Sequence, residues 1–315
     1  MLAVVGEALV DLVGQRGGQT FVAHPGGSPA NVALGLARLG APVTLRTELG
    51  QDAFGHLITS HLEASGVVVD RGHHPAGEPA DPTSLAIATL AAGVATYDFR
   101  ISWALPSLPP LGSEIRCLHT GSLATVLAPG DAAVLDMVKR EHDRGRVTIS
   151  YDPNVRPALL GSADRARPGI EELVGLCDVV KVSDEDLRWL YPGQRDEDVA
   201  ERWSAMGPAL VVVTRGGEGC YARTAGVELR HPAVPLELVD TVGAGDSFTS
   251  GLLDGLRRAD LIGGARRDAL AAIDEATLAT VLDEAALIAA ITCSRPGADP
   301  PTRAELDAYR PSPAP

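Results

Sequence analysis

Short apolar runs recur along this chain, and most are followed by a stretch with helical periodicity. No other feature restricts its fold as strongly. Runs at 2–5 (LAVV), 44–49 (TLRTEL), 67–70, 115–119, 147–151, 179–182 and 210–214 read as strands. Helical patterns fill 30–39, 52–65, 131–144, 165–176, 184–190 and 196–206, and later 246–258 and 274–294. Strands that alternate with helices in this way form a mostly parallel sheet covered on both faces, so the fold class is α/β.

Two places break the alternation. The 2–5 strand is expected to run on through 8–13 (ALVDLV), and 84–90 with 94–99 are β-rich around the turn residues AAG at 91–93. The pieces near 8–22 and 84–100 are expected to form a small separate sheet. Residues 72–82 read as loop, and 219–223 with 226–231 as a terminal hairpin. At the first long helix Ser28 is the expected N-cap and Pro29 the first helical residue, with Gly40 ending it.

Charge narrows the partners. The net charge of −14 argues against a general nucleic-acid or anionic-membrane surface, which would need a basic footprint. The cysteines, Cys117, Cys177, Cys220 and Cys293, are far apart and form no CxxC, which points to buried thiols in a reducing compartment. The N-terminus lacks a basic leader, and Glu7 and Asp11 interrupt its apolar run. The expectation is a soluble cytoplasmic protein with no membrane partner.

The stretch DTVGAGDSF at 240–248 carries the chemistry. Gly243-Ala244-Gly245 makes a tight turn ahead of a helix that begins near Asp246. Backbone N–H groups at such a helix start carry the positive end of the dipole and can hold a transferring phosphoryl group. No lysine follows a glycine anywhere, which excludes a P-loop, and GEGCYA at 217–222 leads into a strand pattern rather than the helix a dinucleotide motif needs. Asp246 reads equally as an N-cap or as a general base that accepts the proton of an attacking hydroxyl. Asn154 and Arg156 lie just past the C-terminal end of a strand, where open α/β sheets place ligands. Arg156 reads as a phosphate contact or as a surface ion pair.

These motifs resemble the signatures of the ribokinase-like (PfkB) carbohydrate kinases. DTVGAGDSF matches one signature and PGGSPANVALGLARLG (25–40) the other, with further likeness at GQDAFG (50–55) and VVVTRGGEGCY (211–221). The resemblance runs from about residue 3 to residue 303. VVGEALVDL (4–12), YDPNVRPAL (151–159) and KVSDEDLRWL (181–190) are similar to bacterial fructokinases, and 2-keto-3-deoxygluconate kinases share variants of these blocks.

The resemblance implies a single three-layer αβα domain over 1–315, with a small β-sheet lid from segments near 10–23 and 84–101 that pairs two subunits into a homodimer. It implies an ATP-dependent sugar kinase acting on a primary hydroxyl, with D-fructose as the expected substrate. 2-Keto-3-deoxygluconate, or another sugar or a nucleoside, is the alternative. Asp246 would be the base and Gly243, Ala244 and Gly245 the anion hole, with Arg156 beside the phosphate. Asp11, Gly26, Gly27, Asn31 and Asn154 would hold the sugar, joined from the lid by Tyr97, Phe99 and Arg100. A β-ribbon's ordinary alternation explains these three lid residues equally well. Ser183, Thr214, Gly216 and Gly219 would border the nucleotide, and 286–293 would pack on adenine or simply follow a core-helix pattern. Mg²⁺ would be reached through water from Asp186, which stands where the family often has a longer glutamate in NxxE. K⁺ would lie near Asp240 and carbonyls around Val242.

Overall fold

The computed structural model describes residues 1–15, 17–72, 81–91, 94–105 and 108–309, and at 90, 91 and 94–97 it describes the backbone alone. Most of the expected 72–82 loop and of the 91–93 turn therefore lies outside the described residues. The strands are β1 Leu2–Val5, β2 Leu9–Gln15, β3 Phe21–Gly26, β4 Val43–Thr47, β5 Val68–Arg71, β6 Leu85–Ala91, β7 Val94–Arg100, β8 Cys117–Gly121, β9 Thr148–Asp152, β10 Val179–Ser183, β11 Leu210–Thr214, β12 Cys220–Arg223 and β13 Glu228–His231. The α-helices are α1 Ser28–Arg38, α2 Ala53–Ala64, α3 Gly130–Arg144, α4 Pro157–Leu160, α5 Ala163–Leu176, α6 Asp184–Leu190, α7 Asp196–Ser204, α8 Ala244–Arg258, α9 Arg267–Ala271, α10 Glu275–Cys293 and α11 Arg303–Tyr309.

Nine strands form one sheet in the order β13-β12-β11-β10-β9-β8-β1-β4-β5. It is parallel from β5 to β11, and β12 and β13 add an antiparallel edge. A parallel sheet is buried on both faces, and strand alternation deals its side chains to two cores. Leu2, Val4, Val179, Leu210 and Val212 join the core under α1, α8 and α10. Ala3, Val5, Val180, Val182, Val211 and Val213 join the opposite core under α3, α5 and α7. This is the three-layer αβα arrangement that the resemblance implied.

The second sheet has four strands in the order β3-β2-β6-β7. Its two antiparallel pairs meet through a parallel β2–β6 pairing, Val10 opposite Leu85. One expectation is corrected here. The first apolar run does not continue as one strand: β1 ends at Val5 and β2 starts at Leu9 in the other sheet. Gly6 sits in the break, where a side chain would run into Pro29 of α1.

Helix α10 is long and apolar enough, by length and composition, to cross a membrane. Here Leu278, Val281, Leu282, Ala285 and Ile288 are buried, and Ala285 meets Gly251 of α8. Packing against α8 accounts for its apolar character.

Candidate active site

The turn before α8 has the form its sequence suggests. Gly243 occupies the N-cap position with φ +74°, a left-handed conformation that favours glycine. Ala244 N–H donates to Thr241 and Ser247 N–H to Gly243, while the N–H groups of Gly245 and Asp246 find no acceptor among the described residues. Asp246 is not the cap. It is the third residue of α8, only 7% exposed.

Two side chains of α1 hold that carboxylate. Ser28 Oγ donates to Oδ1 at 2.6 Å and Asn31 Nδ2 to Oδ2 at 2.9 Å. Burial raises the Asp246 pKa, the hydrogen bonds from Ser28 and Asn31 pull it down, Asp152 pushes it up and Lys181 pulls it down; the net shift is upward. Ser28 is therefore not the expected N-cap: Gly27 holds that position at φ +101°, with no side-chain cap. A Cβ on Gly27 would lie 2.7 Å from the Glu7 carbonyl oxygen, so the entry to α1 has no room for a side chain. The available sequence signal for Ser28 was its three-residue spacing from Asn31, which puts both on one side of the helix start.

Below α8 the sheet presents a polar stripe that the sequence reading missed. Register gives His119, Ser150, Asp152 and Lys181 the face opposite that of Leu118, Tyr151, Val180 and Val182. His119 Nδ1 lies 3.1 Å from Ser150 Oγ, and Lys181 Nζ donates to Asp152 Oδ2 at 3.0 Å. A lysine inside the apolar run VVKV was the legible sign.

On the sugar side, Asp11 of β2 pairs in register with His24, and a side chain on Gly26 would run into the Asp11 carboxylate. Burial raises the Asp11 pKa, with His24 and Arg156 opposing. Asn154, at φ +39°, accepts from Arg156 on both its side-chain and backbone oxygens at 2.6 and 3.2 Å. Arg156 thus forms no surface ion pair among the described residues; its charge lies near Asp11 and Glu7. Glu7, given no role by the sequence, is buried and accepts from Ala124 N–H at 3.1 Å.

Of the three second-sheet residues, Phe99 and Arg100 face opposite ways. Phe99 packs beside Leu9 and Leu123, whereas Arg100 is exposed and pairs with Asp98 at 3.1 Å. Successive strand residues face opposite ways, so these two cannot serve one ligand face. Tyr97 stands opposite Ala88 in register, and its side chain lies outside the described residues.

Ser183 and Thr214 are register partners at the C-terminal ends of β10 and β11, and the turn holding Gly216 and Gly219 follows. Ser183 and Asp186 form a capping box on α6: Ser183 Oγ accepts from Asp186 N–H at 3.0 Å, and Asp186 Oδ2 from Ser183 N–H at 3.3 Å. Asp186 Oδ1 accepts from Val155 N–H at 2.9 Å. Each oxygen keeps a lone pair, which suits a water-mediated Mg²⁺ contact. Asp240 accepts from Val242 and Gly297 N–H at 3.1 and 2.8 Å, tying the turn to the chain after α10. In 286–293, Ala286, Ile288, Ile291 and Thr292 are buried, while Ala289, Ala290 and Cys293 remain half-buried.

Residues 1–305 match the pfkB family of carbohydrate kinases. The chain belongs to this family. It is an ATP-dependent phosphotransferase with an alcohol group of a sugar as acceptor. A fructokinase of Rhizobium leguminosarum bv. trifolii is 33% identical over 293 residues, covering 88% of this chain and 85% of the relative. Among solved structures, a fructokinase of Xylella fastidiosa with bound ATP superposes with a TM-score of 0.85 at 25% identity, covering 98% and 97% of the two chains. A fructokinase double mutant of Vibrio cholerae O395 with fructose, ADP and potassium bound gives 0.79 at 26% identity, covering 98% and 97%. The kinase therefore shares its fold with these two solved fructokinases across nearly the whole chain.

Proposed function

We propose that this kinase phosphorylates D-fructose and that Asp246 is its base. The observation that carries the reading is the buried Asp246 carboxylate, oriented by Ser28 and Asn31 beside two N–H groups of α8 that are unpaired among the described residues. A primary hydroxyl of the sugar gives its proton to Asp246 as its oxygen attacks the γ-phosphorus. The new O–P bond forms as the bond to the bridging oxygen breaks, and that electron pair leaves with ADP. The Gly245 and Asp246 N–H groups take up charge on the transferring group, in the turn formed by Gly243 and Ala244.

Mg²⁺, held through water by Asp186, would neutralise phosphate charge. K⁺ beside Asp240 would order the turn that carries Gly243. Ser183, Thr214, Gly216 and Gly219 border the nucleotide in this reading, and the half-buried side of 286–293 meets the adenine. The four-stranded sheet is the lid, and Asp11, Gly26, Gly27, Asn31, Asn154 and Phe99 face the sugar. Arg156 stands near the carboxyl groups of Asp11 and Glu7, and Arg100 pairs with Asp98, which favours a neutral ketose over an acid such as 2-keto-3-deoxygluconate. Two copies would pair through the lid. Free cysteines, three of them buried, suit a reducing cytoplasm.

The test is ADP release from Mg²⁺-ATP, with and without K⁺, on fructose, tagatose, ribose, adenosine and 2-keto-3-deoxygluconate. Fructose is expected to give the highest kcat/KM. Asp246→Asn is expected to lower kcat by about 10²–10⁴-fold, as for other general bases. Preference for the keto-acid would reject fructose, and normal turnover by Asp246→Asn would reject the base.

A further inference from the structure

Lys181 is one of two lysines in the chain and is 5% exposed. Its neighbours on β10, Val180 and Val182, point into the core on the far side of the sheet. Strand alternation therefore aims Lys181 at the α8 layer. A Cβ on Gly245 would lie 2.8 Å from its Nζ, so the ammonium rests directly against the glycine of the anion-binding turn. Asp152 Oδ2 accepts one of its three N–H groups at 3.0 Å, and no second protein acceptor is recorded for Nζ among the described residues. Thr249 of α8 donates to the Gly245 carbonyl at 3.0 Å, and its hydroxyl oxygen lies 3.4 Å from the same Asp152 oxygen.

We propose that Lys181 supplies the fixed positive charge of the phosphoryl site, reaching the anion hole through the gap at Gly245 while Asp152 holds it in place. The inference rests on the reading of the α8 N-terminus as the phosphoryl site with Asp246 as base. It explains how a glycine turn without its own lysine neutralises a triphosphate: the cation comes from a neighbouring strand. A buried ion pair adds little stability over apolar residues of the same size, so a pair placed under helix N–H groups with no acceptor among the described residues points to a charge on the ligand.

The groups facing Lys181 are Asp152 of β9, Asp186 of α6 and Asp246 of α8, with His119 of β8 close enough to feel its charge. Burial acts to lower the Lys181 pKa, but the three carboxylates outweigh it and keep the ammonium charged. Asp246, faced also by Ser28 and Asn31, is pulled down by Lys181 and pushed up by Asp152.

The test compares wild type, Asp246→Asn, Lys181→Gln and the double variant Lys181→Met/Asp152→Asn, by ADP release from Mg²⁺-ATP and fructose across pH. The double variant removes both buried charges, and Lys181→Gln keeps a donor for Asp152. Both are expected to lose about 10²-fold in plateau kcat, the usual cost of one oxyanion-stabilising group, with fructose KM within about threefold. Lys181→Gln is also expected to move the acid limb of kcat to higher pH, because Asp246 loses its neighbouring cation. In the double variant the two opposing influences leave together and the limb stays near wild type. Turnover within about threefold of wild type in the double variant, or in Lys181→Gln with an unmoved acid limb, would show that Lys181 only neutralises Asp152 and would overturn the proposal. Normal turnover by Asp246→Asn would instead sink the underlying assignment of the base.

Discussion

At the residue scale the site is built from carboxylates that burial makes reluctant to ionise. Asp246 is one, and its raised pKa improves it as a proton acceptor while Ser28 and Asn31 keep it aligned. Glu7 is the other clear case. Burial pushes its carboxyl from 4.5 up to about 7, against hydrogen bonds from Ser122 and Ala124 and the charge of Arg156. Below pH 4.5 the group is neutral in both the folded and the unfolded chain. As pH rises toward 7 the unfolded chain loses the proton first, so folding loses roughly 3 kcal/mol. Glu7→Gln has no such titration. Its Tm relative to wild type is expected to climb by several degrees between pH 5 and pH 8, measured by calorimetry. A difference that stays constant across this range would contradict a buried, ionisable Glu7.

At the element scale, α8 serves two neighbours at once. Its first turn faces α1 and Lys181, and its later turns face α10 through glycines. A Cβ on Gly251 would lie 2.8 Å from Ala285 Cα, and one on Gly255 would press 3.0 Å from Val281. Helices this close have no spare volume between them. Gly251→Val is expected to push α10 off α8 and cost about 1–3 kcal/mol, seen as a lower Tm and a lower urea midpoint. An unchanged midpoint would mean that the two helices can separate freely. The same region shows why residue patterns on α8 and α10 read ambiguously in sequence. Small residues on these helices mark close packing, and no periodicity distinguishes that from an adenine-facing surface.

At the scale of the whole molecule, the second sheet ends in an open edge. β3 lies outermost, and Phe21 and Val22 on it are 42% and 56% exposed. Exposed apolar residues on an edge strand invite pairing with another chain. The proposed occupant is a second copy of this kinase. Sedimentation is expected to show a dimer, and Phe21→Lys/Val22→Glu to shift it to a monomer. A monomeric wild type would contradict pairing of two copies through this edge.

The sequence by itself determined the α/β class, the parallel core, most element positions and the GAGD turn with its carboxylate. Hydrophobic periodicity and glycine placement are local properties, and local properties are written along the chain. It also carried the family, because both signatures lie in continuous segments. Tertiary structure alone decided which groups meet. Ser28 and Asn31 reach Asp246 across more than two hundred residues, and Lys181 comes to Gly245 from a strand that looks merely apolar. The break between β1 and β2, and which of Phe99 and Arg100 turns toward the packed side, likewise depend on which sheet receives each strand. Such meetings are set by sheet order and helix packing, in which residues distant along the chain become neighbours, and no spacing along the sequence encodes them.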